Sequence, residues 1–345
     1  MASPTSGIPQ VNYLEVSLQG DKEGSCDVRE ADRIQLGITM TMDIGTESKA
    51  NKGTDLDRFQ LIMSNESGNL LLTLTLCCYR SERRVLLDLK NKIVPESYDP
   101  VANIKVIIHG YSSLDFMDDV IDGYLERGRD TLLVVDWETL ASKPCYVSAK
   151  MNTRQVGRCT GEALSVLKPT GAVHIVGFSL GAHVAGHVSN YLTNNHGVLI
   201  DRITGLDPAL PLYATPVDEF KLDKSDAKFV DVIHSNPGMF GKAEPSGHVD
   251  FYINGASIQP GCYNVSNPPR CSHRRSAEVF GESINSVKGF WGVKCASFFS
   301  YLAGICKQIK NSHKRIIMGE YASNSSRGIY YVETTKEPPY ARGLN

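Results

Sequence analysis

With 345 residues, 21% of them charged and 41% hydrophobic, the chain has room for one large α/β domain or two small ones. A formal net charge of −2 excludes a global basic field for nucleic acid, and the pairs Arg83-Arg84 and Arg274-Arg275 read as solvated faces. No stretch reaches the roughly 20 apolar residues of a membrane span, and Met1-Ala2-Ser3-Pro4 shows neither the charge nor the apolar run of a leader peptide.

Residues 1–12 are small, polar and Pro-containing, the composition of a disordered terminus. Ile34, Leu36, Ile38, Met40 and Met42 alternate with the period of a half-buried strand. Leu70 to Leu76 reads as another strand, as does Val85-Leu86-Leu87. From residue 100 the rhythm changes. The apolar runs Ile104 to Ile108, Leu132 to Val135, Val173 to Val176, Ile200 to Leu206 and Phe229 to Ile233 are bounded by turns. Between them, Asp115 to Arg127, Val147 to Leu167 and Leu180 to Leu192 have helical spacing. This alternation predicts a mostly parallel sheet covered by helices on both faces. The connection from about 235 to 275 shows little regular pattern, and irregular segments of that length are often functional.

Nine cysteines are present and none has zinc-site CxxC spacing. Cys262 with Cys271 and Cys295 with Cys306 could each close a short loop, and the odd count leaves at least one thiol over. Sequons stand at Asn65, Asn264 and Asn324. Together these favour an oxidising compartment and a secreted protein. A cytosolic esterase is the competing expectation, motivated by the missing leader.

The sharpest motif is Gly177-Phe178-Ser179-Leu180-Gly181, set between an apolar run and a helical stretch. A nucleophile elbow requires that strand, sharp turn and helix. A serine hydroxyl needs a base to take its proton, and the base needs a carboxylate to fix its tautomer. Downstream acids near strand ends are Asp207, Asp223, Asp226 and Asp231. Asp207 is preferred because it ends an apolar run and precedes Pro208. Pattern alone does not choose among His234, His248, His273 and His313. The oxyanion of the transition state needs two N–H donors. The backbone of Leu180 is one candidate, and that of Tyr111, after Ile104 to Ile108, is the other.

These segments resemble the pancreatic-type lipases, and within them the insect phospholipase A1-like branch. Ile107-Ile108-His109-Gly110-Tyr111 resembles the oxyanion segment, and Asp136-Trp137 and Asn152 to Gly157 resemble two further signatures. His174 to His183 resembles the nucleophile segment, Thr204 to Ala209 the acid segment, and Cys271-Ser272-His273-Arg274-Arg275-Ser276 the histidine segment. The similarity runs from about residue 100 to the end. It implies an α/β-hydrolase fold, a triad of Ser179, Asp207 and His273, and a structural role for His248. It implies residues 13–345 as one catalytic domain without the C-terminal β-sandwich that binds a helper protein.

The resemblance also implies a disulfide-closed lid between Cys262 and Cys271, and pairs Cys26 with Cys145. Cys77, Cys78 and Cys159 stay unassigned. Eight residues make a short lid, which resembles phospholipase A1 enzymes acting at sn-1, at a membrane or micelle surface. A triacylglycerol (neutral) lipase or a galactolipase is the alternative. A catalytically silent lipid-binding or yolk-type storage protein is the alternative of another class, against which the complete triad speaks. Asp223 and Asp226 resemble a structural calcium loop. The chemistry itself requires no cofactor.

Overall fold

The structure is a computed structural model, and it describes residues 61–64, 70–77, 94, 98–214, 220–255, 257–297, 299–300, 303–308 and 315–344. The expectations placed on residues 1–12, Ile34 to Met42, Arg83 to Leu87, Cys26, Cys78, Asn65 and His313 lie outside the described residues.

The chain begins with an antiparallel pair, β1 (Leu61–Ser64) and β2 (Leu70–Cys77). The predicted apolar runs follow as β3 (Ile104–Ile108), β4 (Thr131–Asp136), β5 (Val173–Phe178), β6 (Arg202–Leu206) and β7 (Phe229–His234). Between them lie α1 (Asp118–Arg127), α2 (Tyr146–Leu167) and α3 (Leu180–His196). β8 (Val249–Ile253), α4 (Pro268–Asn285), β9 (Phe290–Cys295), β10 (Arg315–Met318) and β11 (Gly328–Val332) complete the order.

These strands form one sheet in the order β1-β2-β4-β3-β5-β6-β7-β8-β11-β9-β10. The seven from β4 to β11 run parallel, with antiparallel strands at both edges. This is the α/β-hydrolase arrangement. Side chains alternate across the sheet. Ile104, Val106 and Ile108 face the core shared with α2 and α3, while Ile107 faces the core shared with α1 and α4. β3, β4, β5, β7 and β8 are buried along their whole length on both faces, which is why these central runs are so largely apolar.

The connection from 235 to 275 is more regular than expected. It contains β8 and the start of α4. Two features hide them. Asp250 interrupts the apolar run of β8, yet it is buried and bonded to His234 and to the Ser246 N–H. Pro268-Pro269 reads as a breaker, but proline in a first helical turn surrenders only an N–H that has no partner there. Asn267 caps that turn by accepting from the Arg270 N–H.

Chain direction reverses between β3 and β5: the chain goes out to β4 and returns past β3 through α2. In parallel sheets the crevice beyond the strand ends at such a switch point collects ligands. Register aligns those ends, pairing Ile108 with Gly177, Phe178 with Leu206, and Leu206 with Ile233. Residues 109–111, 179, 207 and 234–236 therefore meet at one edge.

Candidate active site

Ser179 occupies the turn between β5 and α3 with φ 55° and ψ −116°, a backbone region that residues with a Cβ rarely adopt. The strain is held by neighbours. The Ser179 N–H donates to Leu206 O, and the Ser179 carbonyl accepts from the N–H groups of Ala182 and Ala209. Gly110 presses on the same residue: a Cβ there would lie 2.7 Å from Ser179 Cβ. The loop after β3 thus approaches the serine at van der Waals range only because residue 110 is glycine.

Asp207 ends β6, also at positive φ (44°), and is fully buried. Its Oδ2 accepts from His273 Nδ1 at 2.5 Å. Its Oδ1 accepts from the N–H groups of Ser235 (2.8 Å) and Asn236 (3.0 Å). Three donors satisfy a carboxylate that would otherwise be costly to bury. His273 stands in the second turn of α4, packed against Phe178 and Phe240 with ring centroids at 4.6 and 5.7 Å. Among the hydrogen bonds of the described residues, none joins Ser179 to His273; apo sites often hold such bonds long.

The rival candidates have other work. Asp231 receives Arg202 through two bonds of 2.8 and 2.9 Å. His234 is occupied at both nitrogens, by Lys242 O and Asp250. His248 accepts from the Val230 N–H at the opposite end of β7. Asp223 and Asp226 form a capping box: Asp223 accepts from Ser225 N (2.6 Å), and Asp226 from Asp223 N (2.9 Å) and from Asn190 Nδ2. No group of three or more His, Cys, Asp or Glu able to hold a metal occurs among the described residues. Both carboxylates are thus engaged within this turn.

Two histidines that sequence reasoning passed over as positioning groups shape the site. Trp137 N–H donates to His109 Nε2 (2.8 Å), which also lies 3.2 Å from Asp136 Oδ1, and Nδ1 carries the proton that bonds Gly110 O (2.7 Å). In a trans peptide the C=O and the following N–H point to opposite sides. Fixing Gly110 O on His109 therefore aims the Tyr111 N–H the other way. His183 works similarly. It accepts from Leu222 N–H and donates to Ala209 O (2.9 Å), while burial keeps its imidazole neutral. Local sequence carried no signal for either role, because the N–H groups that set the two tautomers, those of Trp137 and Leu222, come from across the fold.

Cys262 and Cys271 are disulfide-bonded and close the expected loop. Tyr263 and Val265 within it are exposed, as are Met239 and Phe240 on the neighbouring loop and Leu212. Cys295 pairs with Cys306. Cys145 is also disulfide-bonded, while Cys159 is free and buried, its thiol pushed up to about 11 by burial. The expectation of a solvated Arg274-Arg275 pair fails: Arg274 is only partly exposed, ion-paired with Asp119 and Glu278 and set over the Phe116 ring. Arg275 lies 100° round the helix and is buried, bonded to Glu278 and Pro260 O and stacked on Tyr340.

The sequence profile of the Lipase family matches residues 85–340. Lipase member H-A of Xenopus laevis is 36% identical over 216 residues, covering 59% of this chain and 46% of that protein. Phospholipase A1 member A of Mus musculus is 34% identical over 214 residues, covering 59% and 46%. Pancreatic triacylglycerol lipase of Oryctolagus cuniculus is 32% identical over 273 residues, covering 69% and 57%. The chain thus spans about half the length of the relatives it matches.

Proposed function

The chain belongs to the lipase family, and from that premise we propose that it is a serine hydrolase cleaving a fatty-acyl ester of a lipid. The observation that carries the reading is the meeting, at one sheet edge, of the strained Ser179 turn with the buried Asp207–His273 pair. In this reading Ser179 Oγ attacks the acyl carbonyl while His273 Nε2 takes its proton. Asp207 holds the Nδ1 proton and steadies the imidazolium. The N–H groups of Leu180 and Tyr111 receive the oxyanion. Collapse expels the alcohol, which takes the proton from His273 and leaves an acyl-serine. Water, deprotonated by His273, then releases the fatty acid and restores Ser179. No cofactor enters this sequence.

The substrate we favour is a glycerophospholipid cleaved at sn-1, at a membrane or micelle surface. The short loop between Cys262 and Cys271 supports it, since a small cover leaves the mouth open to a polar head group. A relative named for phospholipase A1 activity supports it too. Disulfides and the exposed sequon residues Asn264 and Asn324 support secretion. No helix among the described residues is long and apolar enough to cross a membrane.

The test is hydrolysis of phosphatidylcholine and trioleoylglycerol side by side, with Ser179→Ala as control. Release of the sn-1 fatty acid from phospholipid, lost in the control, is expected. Release mainly from trioleoylglycerol would replace the substrate assignment. No release from either, with the fold intact, would refute the enzyme reading in favour of a lipid-binding protein.

A further inference from the structure

Gln259 precedes the disulfide-closed loop that begins at Cys262, and its side chain is fully buried. A buried amide must find partners for its donors and its acceptor, and those of Gln259 lie around the triad. Its Nε2 donates to Ser235 O (2.8 Å) and Ile253 O (3.1 Å), the carbonyls at the carboxyl ends of β7 and β8. Its Oε1 accepts from Asn254 Nδ2 (2.8 Å). Its backbone N–H donates to the hydroxyl of Ser272 (2.9 Å), the neighbour of His273, and its carbonyl accepts from the Cys262 N–H. We infer that Gln259 is a positioning residue for the Asp207 carboxylate, acting through the Ser235–Asn236 peptide. The inference rests on the triad reading given above.

The Ser235 carbonyl and the Asn236 N–H belong to one trans peptide unit, so they point to opposite sides. Gln259 holds the oxygen on one side, and on the other the N–H donates to Asp207 Oδ1 (3.0 Å). Any rotation of that peptide moves both ends together. Both residues are fully buried. Without the amide, Ser235 O would lose a buried donor, which is costly. The peptide would turn toward another donor and carry the Asn236 N–H off the carboxylate. The same segment grips Asn236 a second time, because its Nδ2 donates to Ser257 O. Ser235 Oγ donates in turn to His273 O (3.1 Å). Residues 257–259 are thus linked by hydrogen bonds to the supports of both Asp207 and His273.

The residue type follows from the partners. Two carbonyls face one end of the side chain and an N–H₂ group faces the other, the complement of one neutral planar amide. That pattern also fixes which terminal atom is nitrogen. A carboxylate of the same shape would set oxygen against two oxygens, and an apolar side chain would answer none of the three groups. The support behind the amide is firm. Asn254 Nδ2 also donates to Thr334 Oγ1 (2.7 Å), and Asn254 Oδ1 accepts from the Thr334 N–H (2.9 Å). The brace is therefore tied to the chain just past β11. Gln259 neither titrates nor attacks, so a search for catalytic residue types passes over it.

The experiment compares the full chain with Gln259→Met, which keeps the length of the side chain and removes its donors. Initial rates on a soluble short-chain ester are taken per folded molecule, with a melting curve as the measure of folding. Low-field proton NMR follows the proton between His273 Nδ1 and Asp207, and it requires no turnover. In Gln259→Met, kcat is expected to fall about tenfold with KM within about twofold of the parent. The proton resonance should shift and broaden, a change that a loss of stability alone does not produce in the folded fraction. If Gln259→Met does not fold, Gln259→Asn makes the same comparison: one methylene shorter, it cannot span Ser235 O and Asn254 Nδ2 at once. If the parent turns over no ester, the triad reading fails and the resonance alone tests the brace. A folded variant whose kcat stays within about threefold of the parent, or whose resonance is unchanged, overturns the inference.

Discussion

Gly241 is the position where one added carbon should cost most activity for least disturbance of the fold. A Cβ there would stand 2.5 Å from Asp207 Oδ2 and nearer still to Oδ1 and Cγ. Ordinary contact is about 3.5 Å, so the carboxylate must retreat by about 1 Å. It is pinned on both sides, by Ser235 and Asn236 N–H at Oδ1 and by His273 at Oδ2. A retreat breaks at least one of these bonds. Each involves a charge and is worth about 1.5–3 kcal/mol, which converts to about 10- to 100-fold in rate. Gly241 is not among the positive-φ residues, so alanine is conformationally acceptable and the added carbon alone carries the effect. Gly241→Ala should lower kcat by that factor and leave KM nearly unchanged, since the carboxylate lies behind His273. Initial rates on a soluble short-chain ester read this without an interface, and a melting curve monitors folding. A folded variant with kcat within about twofold of the parent would refute the reasoning.

Removing the imidazole in His109→Ala should free the Gly110–Tyr111 peptide, lowering kcat by about 10- to 100-fold. Affinity for a boronic acid that mimics the tetrahedral intermediate should fall by a similar factor, and an unchanged affinity would contradict the clamp. Burial pushes Glu320 up, but Lys105, Arg202 and Arg127 outweigh it and hold its carboxyl down to about 2. A depressed folded value means stability present above the unfolded value of about 4.5 and lost as pH falls from there toward 2. The loss is on the order of 3 kcal/mol. Glu320→Gln should flatten that acid limb of urea unfolding and destabilise the neutral protein by about 3–5 kcal/mol. Replacing Cys262 and Cys271 by serine opens a ten-residue loop and should cost about 2–3 kcal/mol of unfolding free energy, read by urea titration.

Local pattern revealed most of the sheet because β3 to β7 bury both faces and must be apolar from end to end. The elbow was legible for a related reason: the turn at Ser179 needs glycines on both sides, and few other structures do. β8 escaped notice because its Asp250 is satisfied by His234, a partner no local window contains. Asp207 stood out among the acids by ending an apolar run before Pro208, but the choice among four histidines was beyond pattern. It depends on which pairs the register brings together, and Asp231 and His234 differ from Asp207 and His273 only in partners acquired across the sheet. The resemblance to the lipase family named His273 before the geometry placed it beside Asp207.

The two ends of the parallel strands are built on opposite plans. At the amino ends, Lys105, His174 and Arg202 stand side by side in register on one face. Glu320 bonds Lys105, Arg127 and Tyr124 there, and its backbone carbonyl takes Arg202. Burial also draws Lys105 below the usual lysine range despite Glu320, so the carboxylate is the partner that gains. Such a network is costly to break at any point and fixes the strands to the 319–322 turn. At the carboxyl ends, Ser179 and Asp207 are among the residues held at positive φ, and both are fixed mainly by main-chain donors and acceptors. Strain of that kind persists only when the surroundings over-determine it. That rigidity is predicted to come in part from the ionic end: strands that cannot slide at one end would keep Leu206, Ile233 and Gly177 aligned at the other. Glu320→Gln therefore carries a second consequence besides lost stability. If register at the far end depends on the network, kcat should fall further than the unfolded fraction explains; if it falls only in proportion, the elbow holds its own geometry.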